Sequence, residues 1–345
     1  MSSKMKALVK EKCAPGATIK QVDIPKLGPH EVLVEVMATS ICGTDLHIYN
    51  WNRWAASRIQ PPVILGHEMS GNIVKVGSAV KSWHLGDYVS LECHFSCGIC
   101  YQCRTGRANI CRNCNILGVN LDGCFANYVR VPENNLWKNN SNLPPEIACL
   151  QDPIGNAVLA TSSIEMRSNT VMVTGCGPIG LFTTGVCRVG GASKIYAVDY
   201  NEYRLQLARQ MGAAYTINPL QLDPVREIWK DTGGEGVDAV MEMSGSEERL
   251  QDGLKAVKNG GIVSLLGIPK EKVSLDLADD VIFKGITLTG ISGREIFNTW
   301  YITSALVSSL LDAGQVITHR LKLEEYEEAF SIMQSGKCGK IILYP

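Results

Sequence analysis

Thr170-Val171-Met172-Val173-Thr174-Gly175-Cys176-Gly177-Pro178-Ile179-Gly180 runs from a short apolar strand into a glycine-rich turn. An apolar helix to about Arg188 is predicted next, then a second strand, Ile195-Tyr196-Ala197-Val198, ending at Asp199. A GxGxxG by itself is weak. This one follows a strand, opens a helix and has an acid about 20 positions on, which is the full dinucleotide fingerprint. Gly175, Gly177 and Gly180, with Pro178 and Ile179 between the last two, allow the tight turn and let the backbone approach a pyrophosphate. The helix start offers free N–H groups and the positive end of its dipole. Asp199 would accept hydrogen bonds from the adenosine ribose hydroxyls and repel a 2′-phosphate, so NAD is expected over NADP. Arg204 is the counter-signal; beside an acid its expected place is on the ribose or adenine.

Toward the C-terminus the strand–helix alternation continues. Val237 to Glu242 reads as a strand, and Glu247 to Lys258 as a helix with Leu250, Leu254 and Val257 on one face, stopped at Gly260-Gly261. Ile262 to Gly267 and Ile286 to Gly290 are later strands. The pattern predicts a doubly wound parallel sheet. Leu266, Gly267, Ile268, Ile291 and Ser292 would lie at its carboxyl edge, on the nicotinamide side. From about Arg294 the chain is expected to return to the first domain, with a helix near Asn298 to Asp312 and a strand from Lys340 to Tyr344.

Toward the N-terminus the period changes. Val32, Val34 and Val36 alternate with their neighbours at the spacing of a half-buried strand. Ile73 to Val76 and Tyr88 to Leu91 are further short strands beside glycines, so this part reads as mostly β. Cys97-x2-Cys100-x2-Cys103-x7-Cys111 follows. Four thiolates so spaced can close around one tetrahedral zinc. A ferredoxin run would need a three-residue gap and a proline at its end; here the gap is seven and Arg112 follows. The run reads as a zinc-stapled lobe, with Cys93, Cys114 and Cys124 left as free thiols. Upstream, Cys42-Gly43-Thr44-Asp45-Leu46-His47 and Gly66-His67-Glu68 supply a thiol, an imidazole and an acid that could meet on a catalytic zinc with one position open. Spacing leaves open the alternative of a buried Cys, a surface His and a solvated Glu. Asp152-Pro153-Ile154-Gly155 lies at the expected domain junction, and Asp152 reads either as a helix cap before a turn or as a further group near the metal.

The chain has 345 residues, too many for one ordinary core, and is 45% hydrophobic and 19% charged with a net charge of -1. That balance argues against nucleic acid and anionic membranes as partners. No apolar run reaches the ~18 residues of a membrane span. Met1 to Lys6 lacks the apolar core of a signal peptide, so a cytoplasmic setting is the expectation. Thirteen cysteines in a reducing compartment point to metal rather than disulfides.

With both motifs in view, the chain resembles the zinc-dependent medium-chain dehydrogenases over essentially its whole length, and within them the threonine dehydrogenases. The more specific stretches are Cys42 to Trp51, Asp152 to Val158, Asn201 to Leu205 and Gly290 to Glu295. Cys93 stands where that pattern has a small residue, Leu159 where a His often follows Asn-Ala-Val, and position 152 is Asp where relatives carry Asp or Glu. The resemblance implies an α/β fold: a GroES-like β-rich catalytic domain over 1–155 and 295–345, its structural-zinc lobe at about 93–115, and a Rossmann NAD-binding domain over 156–294. It further implies zinc on Cys42, His67 and Glu68 with Asp152 close by, a second, structural zinc in each subunit, and a proton relay through Thr44 and His47. Glu92, His94 and Arg294 are candidates for holding a substrate's amino and carboxylate groups; the alternative for Arg294 is a surface charge at a strand end. The implied reaction is oxidation of threonine's secondary alcohol to 2-amino-3-oxobutanoate by NAD in a homotetramer. Rival expectations are a polyol, sugar or amino-cyclitol dehydrogenase with the same cofactors, and a catalytically silent scaffold.

Overall fold

Residues 3–345 are described by a computed structural model, and they separate into two units. The first comprises 3–152, Glu295–Trp300 and Ile317–Pro345. Its strands are β1 Lys4–Lys10, β2 Thr18–Asp23, β3 Glu31–Ser40, β4 Val63–Ile64, β5 Met69–Val76, β6 Tyr88–Leu91, β7 His94–Phe95, β8 Asn115–Ile116, β9 Tyr128–Pro132 and β10 Leu136–Lys138. β3 is the central element. Val32, Val34, Val36 and Ala38 are buried while Glu35 and Met37 are exposed, the two-residue period of a strand with one face on a core. It pairs antiparallel with β5 and with β9. Leu8, Val89, Leu91, Val129 and Val131 pack in the same core. β7 and β8 form a separate ribbon, and the four-cysteine loop is the excursion between them.

The second unit comprises Pro153–Arg294 and Tyr301–Val316. Its strands are β11 Thr170–Thr174, β12 Lys194–Val198, β13 Tyr215–Ile217, β14 Val237–Glu242, β15 Val257–Leu265 and β16 Thr287–Gly290. They form one sheet of order β13-β12-β11-β14-β15-β16, parallel throughout. β11 and β14 are buried almost end to end, as central strands of a parallel sheet covered on both faces must be. The chain order reverses between β11 and β14, where the carboxyl ends of an open α/β sheet leave a crevice for ligands. Three of its helices begin at side-chain caps: Asn201 for Glu202–Gln210, Asp223 for Pro224–Asp231 and Ser246 for Glu247–Ala256.

The last strands, β17 Ile317–Lys322 and β18 Lys340–Tyr344, belong to the first unit, where β18 pairs with β3. Three expectations need correcting. Residues 301–316 group with the second unit, because the Leu311 side chain seats on Gly185 of the helix Pro178–Val189. The helix from Glu247 ends at Ala256 rather than Lys258, because Val257 already pairs with Val237 as the start of β15. Asp152 to Gly155 is not a turn but the start of the helix Gln151–Thr161. Pro153 falls in its first turn, where a missing N–H breaks no bond, and Gly155 leaves room for the Arg294 side chain laid across it. Among the described residues no helix is long and apolar enough to cross a membrane.

Candidate active site

Cys42 caps the helix Gly43–Tyr49 at the end of β3, so the strand and the helix start fix its position together. Its N–H donates to Asp45 Oδ2 (2.9 Å). The other Asp45 oxygen, Oδ1, faces His67 Nδ1 at 3.6 Å. Asp45, fully buried, therefore ties the backbone of one candidate ligand to the ring of another. His67 and Glu68 are buried as well (6% and 1% exposed), which removes the alternative of a surface His and a solvated Glu. Donor atoms of Cys42, His67 and Glu68 lie within 4.8 Å of one another; Asp152, buried in the helix start, is not in that set. Burial disfavours the His67 imidazolium, but Asp45 and then Cys42 outweigh it and raise its pKa well above the ordinary value.

Glu68 has a cation of its own. Lys340 Nζ and Ser40 Oγ both donate to its Oε2, and Lys340 also donates to the Ile41 carbonyl (3.1 Å). Burial pulls the Lys340 ammonium down, yet Glu68 beside it leaves its pKa raised. Thr44 Oγ1 stands 3.9 Å from Cys42 Sγ, and His47 is exposed on the same helix. Asn52 Oδ1 accepts from Ala55 N (3.0 Å) as the cap of the next helix, which turns its amide N–H toward His47 Nδ1 (2.8 Å). The ring accepts there and carries its proton on Nε2.

The three candidate substrate residues are differently placed. Glu92 and His94 touch: Glu92 Oε1 accepts from His94 N (2.9 Å) and is 2.7 Å from His94 Nδ1, while Glu92 Oε2 accepts from Trp300 Nε1 (2.8 Å). Arg294 is in the second unit. It is buried rather than a surface charge, and its Nη1 donates to Asn156 Oδ1 (3.1 Å).

In the cysteine loop, Sγ separations are 3.5 Å for Cys100–Cys103 and Cys97–Cys111 and 3.8 Å for Cys100–Cys111. Backbone N–H groups of Cys103 and Arg112 draw the Cys100 thiol down to about 6.

In the second unit, Gly175 has φ +84°, which an L side chain rarely adopts, and Ser244 at the end of β14 packs against it. Gly180 comes so close to the Gly175 carbonyl that a Cβ would sit 1.9 Å from it, whereas a Cβ on Gly177 would meet nothing within 4 Å. Asp199 is joined to this turn: its Oδ2 accepts from Cys176 N (2.7 Å) and its Oδ1 from Asn201 N (2.8 Å). Arg204 begins the third position of the helix that Asn201 caps. Leu266 and Gly267 donate to the Glu242 carbonyl (3.0 and 2.9 Å), and Ile291 to that of Leu265 (2.8 Å). Ile268 is exposed, its carbonyl against Gly245. Ser292 follows directly on Ile291 after β16.

Residues 28–144 match the family model of the alcohol dehydrogenase GroES-like domain, and 178–309 that of the zinc-binding dehydrogenase. The chain is 48% identical over 345 residues to L-threonine 3-dehydrogenase of Bacillus subtilis, covering 100% of this chain and 99% of that one. It belongs to the zinc-binding dehydrogenases. A second relative, the L-threonine 3-dehydrogenase of Pyrococcus abyssi, is also 48% identical, over 99% of both chains. Among solved structures, alcohol dehydrogenase TADH from Thermus sp. ATN1 superposes with a TM-score of 0.90 at 32% identity, over 99% of both chains. A zinc-binding dehydrogenase from Sinorhizobium meliloti 1021 bound to NADP gives 0.92 at 30%, over 100% of both.

Zinc and NAD(P) are the cofactors of this zinc-binding dehydrogenase, and its side chains fit them. A tetrahedral zinc with Zn–S of about 2.3 Å has edges of about 3.8 Å, close to the cysteine-loop separations. His67 Nδ1 faces Asp45 Oδ1 at 3.6 Å, a buried carboxylate placed to orient the ring from behind, as the partner of a metal-bound imidazole does. The open side of Gly177 gives a pyrophosphate access to the backbone. Sequence reasoning missed four supporting residues of this dehydrogenase. Asp45 had a signal, an acid three residues beyond a helix-capping position. Glu242 had one too, an acid in an apolar strand; its Oε1 accepts from Ser244 N (2.9 Å) and Gly245 N (3.1 Å) and shapes the carboxyl edge. Asn52 and Lys340 had none, since each matters through a side chain met only in the fold.

Proposed function

We propose that this dehydrogenase oxidises the C3 hydroxyl of L-threonine to the ketone of 2-amino-3-oxobutanoate and passes the hydride to NAD+. The observation that carries the reading is the 48% identity, held from end to end, with two L-threonine 3-dehydrogenases. Cys42, His67 and Glu68 would hold the catalytic zinc, with Asp152 close by, and the bound ion supplies Lewis acidity that eases loss of a hydroxyl proton. Asp45 orients His67 and Cys42 for that task; Lys340 and Ser40 hold one Glu68 oxygen and leave the other to face inward. Thr44 receives the hydroxyl proton and His47, exposed to water, passes it out. The C3 hydrogen leaves with its electron pair for the nicotinamide, so threonine loses one hydride and one proton. His94 meets the substrate's charged groups. Glu92, already engaged by His94 and Trp300, sets the ring's orientation. Gly175, Gly177 and Gly180 cradle the pyrophosphate; Asp199 holds the ribose hydroxyls, which favours NAD over NADP.

Cys97, Cys100, Cys103 and Cys111 hold a second, structural zinc in this reading. Assembly as a homotetramer is supported by β16, which has one partner strand among the described residues, and by the exposed Leu277, Ile282 and Phe283 on the segment leading to it. A reducing, cytoplasmic setting suits thirteen cysteines with no disulfide among the described residues. The test is a panel of L-threonine, 2,3-butanediol, sorbitol and myo-inositol with NAD or NADP, read by absorbance of the reduced nicotinamide. Threonine with NAD is expected to give the highest kcat/KM, at least about tenfold above the others. A polyol turned over faster, or no reduction with threonine, overturns the proposal.

A further inference from the structure

Glu92, Cys93 and His94 bring a carboxylate, a thiol and an imidazole together outside both zinc donor sets. Three consecutive residues of a straight strand could not do this, because successive side chains point to opposite faces. Here β6 ends at Leu91 and β7 begins at His94, and the backbone bends at Cys93. Asn135 clamps the bend: its Nδ2 donates to the carbonyls of Glu92 (2.8 Å) and His94 (3.0 Å). As a result Cys93 Sγ lies 3.5 Å from His94 Nδ1, which in turn lies 2.7 Å from Glu92 Oε1. Donor atoms of all three fall within 4.8 Å of one another. Glu92 is fully buried and Cys93 3% exposed, while His94 is only partly covered, so the cluster is walled on one side and open on the other.

We propose that Glu92, Cys93 and His94 form a third metal site, for a thiophilic divalent cation such as Zn2+, Co2+ or Cd2+. A soft sulfur with a nitrogen and an oxygen donor is a set these ions accept, and the partly open His94 side leaves room for water as a fourth ligand. Charge balances: a carboxylate, a thiolate and a neutral imidazole cancel one divalent ion, which keeps burial of the set affordable. On binding, the Cys93 S–H bond breaks, the sulfur–metal bond forms and one proton goes to water. The ion takes the place of the proton between His94 Nδ1 and Glu92 Oε1; that proton passes to Nε2 as the neutral imidazole changes tautomer, so the Cys93 proton is the net proton released. Trp300 Nε1 on the outer Glu92 oxygen holds the carboxylate in place with or without the ion. Occupancy engages His94, so excess metal will inhibit whatever reaction uses that ring.

The experiment compares the zinc-loaded full-length protein with its Cys93→Ala variant, both dialysed against low-micromolar free Zn2+ and counted by native mass spectrometry. Wild type is expected to carry one zinc more per chain than the variant. With zinc held at two per chain so that this site is empty, Co2+ added to wild type is expected to give a thiolate-to-cobalt charge-transfer band that the variant lacks, with one proton released. Equal metal counts and no band overturn the site. If circular dichroism shows Cys93→Ala misfolded, Cys93→Ser serves, since it keeps the volume and removes the soft donor. The count is a difference between two proteins and uses no substrate. Its failure leaves the threonine reading intact, and a failed threonine assay leaves the count intact.

Discussion

At the scale of single residues, the neighbours of the candidate site matter as much as its members. Asn52 shows this for His47. Its Oδ1 is committed to the helix cap at Ala55, so only the amide N–H can face the ring, 2.8 Å from Nδ1. Asn52→Asp keeps a good cap but sets a carboxylate against the imidazole. An opposite charge at that range favours imidazolium, so the His47 pKa rises. A relay ring must be neutral to accept a proton, so the rising limb of kcat/KM against pH is expected to move about one unit to higher pH. A pH–rate profile on threonine checks this; an unmoved limb removes His47 from the relay. Asn52→Ala, which only loses the cap, is expected to cost about 1 kcal/mol of stability without the alkaline shift.

At the scale of elements, the glycine turn and the strands beside it separate binding from folding. Gly177 and Gly180 look alike in a motif, yet their surroundings differ: open space for one, a carbonyl at 1.9 Å from a Cβ for the other. Gly177→Ala is expected to leave the thermal midpoint unchanged and weaken NAD binding at least about tenfold, about 1.4 kcal/mol. Gly180→Ala is expected to lower the midpoint as well, because the turn must open. Calorimetry of binding and of unfolding distinguishes the two. Asp238 links β14 to the start of β11: its Oδ2 accepts from Thr170 N (2.7 Å) and Oγ1 (2.8 Å), and Lys258 pairs with its Oδ1. Burial pushes this carboxyl up, but Lys258 and Thr170 outweigh it and hold its pKa below the ordinary value. A depressed carboxyl stabilises the fold above its unfolded pKa, about 3.9, and loses that contribution as pH falls through the folded value. The stability gap between wild type and Asp238→Asn is therefore expected to be level above about pH 5 and to shrink below about pH 4, as read by urea denaturation. What was legible in the sequence was local: a strand, three glycines in one turn and an acid at the end of the next strand, and cysteines a few residues apart. The start of β15 was less so, because Val257 leaves its helix to pair with Val237, a choice made by the neighbouring strand.

At the scale of the whole molecule, the two units carry different candidate sites, the thiol-rich one in the first and the glycine turn in the second. The cysteine loop belongs to the first unit, which also holds Trp51, Trp54, Trp83, Trp137 and Trp300, while Trp229 lies in the second. In a Trp229→Phe protein, indole emission reports the first unit alone. Stripping zinc with a chelator leaves four thiols with no ion to bind and is expected to lower that emission midpoint; an unchanged midpoint would mean the lobe stands without metal. Contacts distant along the chain were beyond sequence reasoning. Trp300 meets Glu92 across 208 positions and Lys340 meets Glu68 across 272; neither partner carries a pattern pointing to the other. The packing of 301–316 with the second unit was hidden for the same reason. The Lys340–Glu68 pair also sets an order of events during synthesis. At about 5–20 residues per second, the ribosome makes the lysine roughly 14–54 s after the acid. Throughout that interval the nascent chain displays Cys42 and His67 beside an uncompensated carboxylate, so ion capture before Lys340 emerges and after it are different reactions, the first open to any passing cation and the second confined to a finished, neutralised nest.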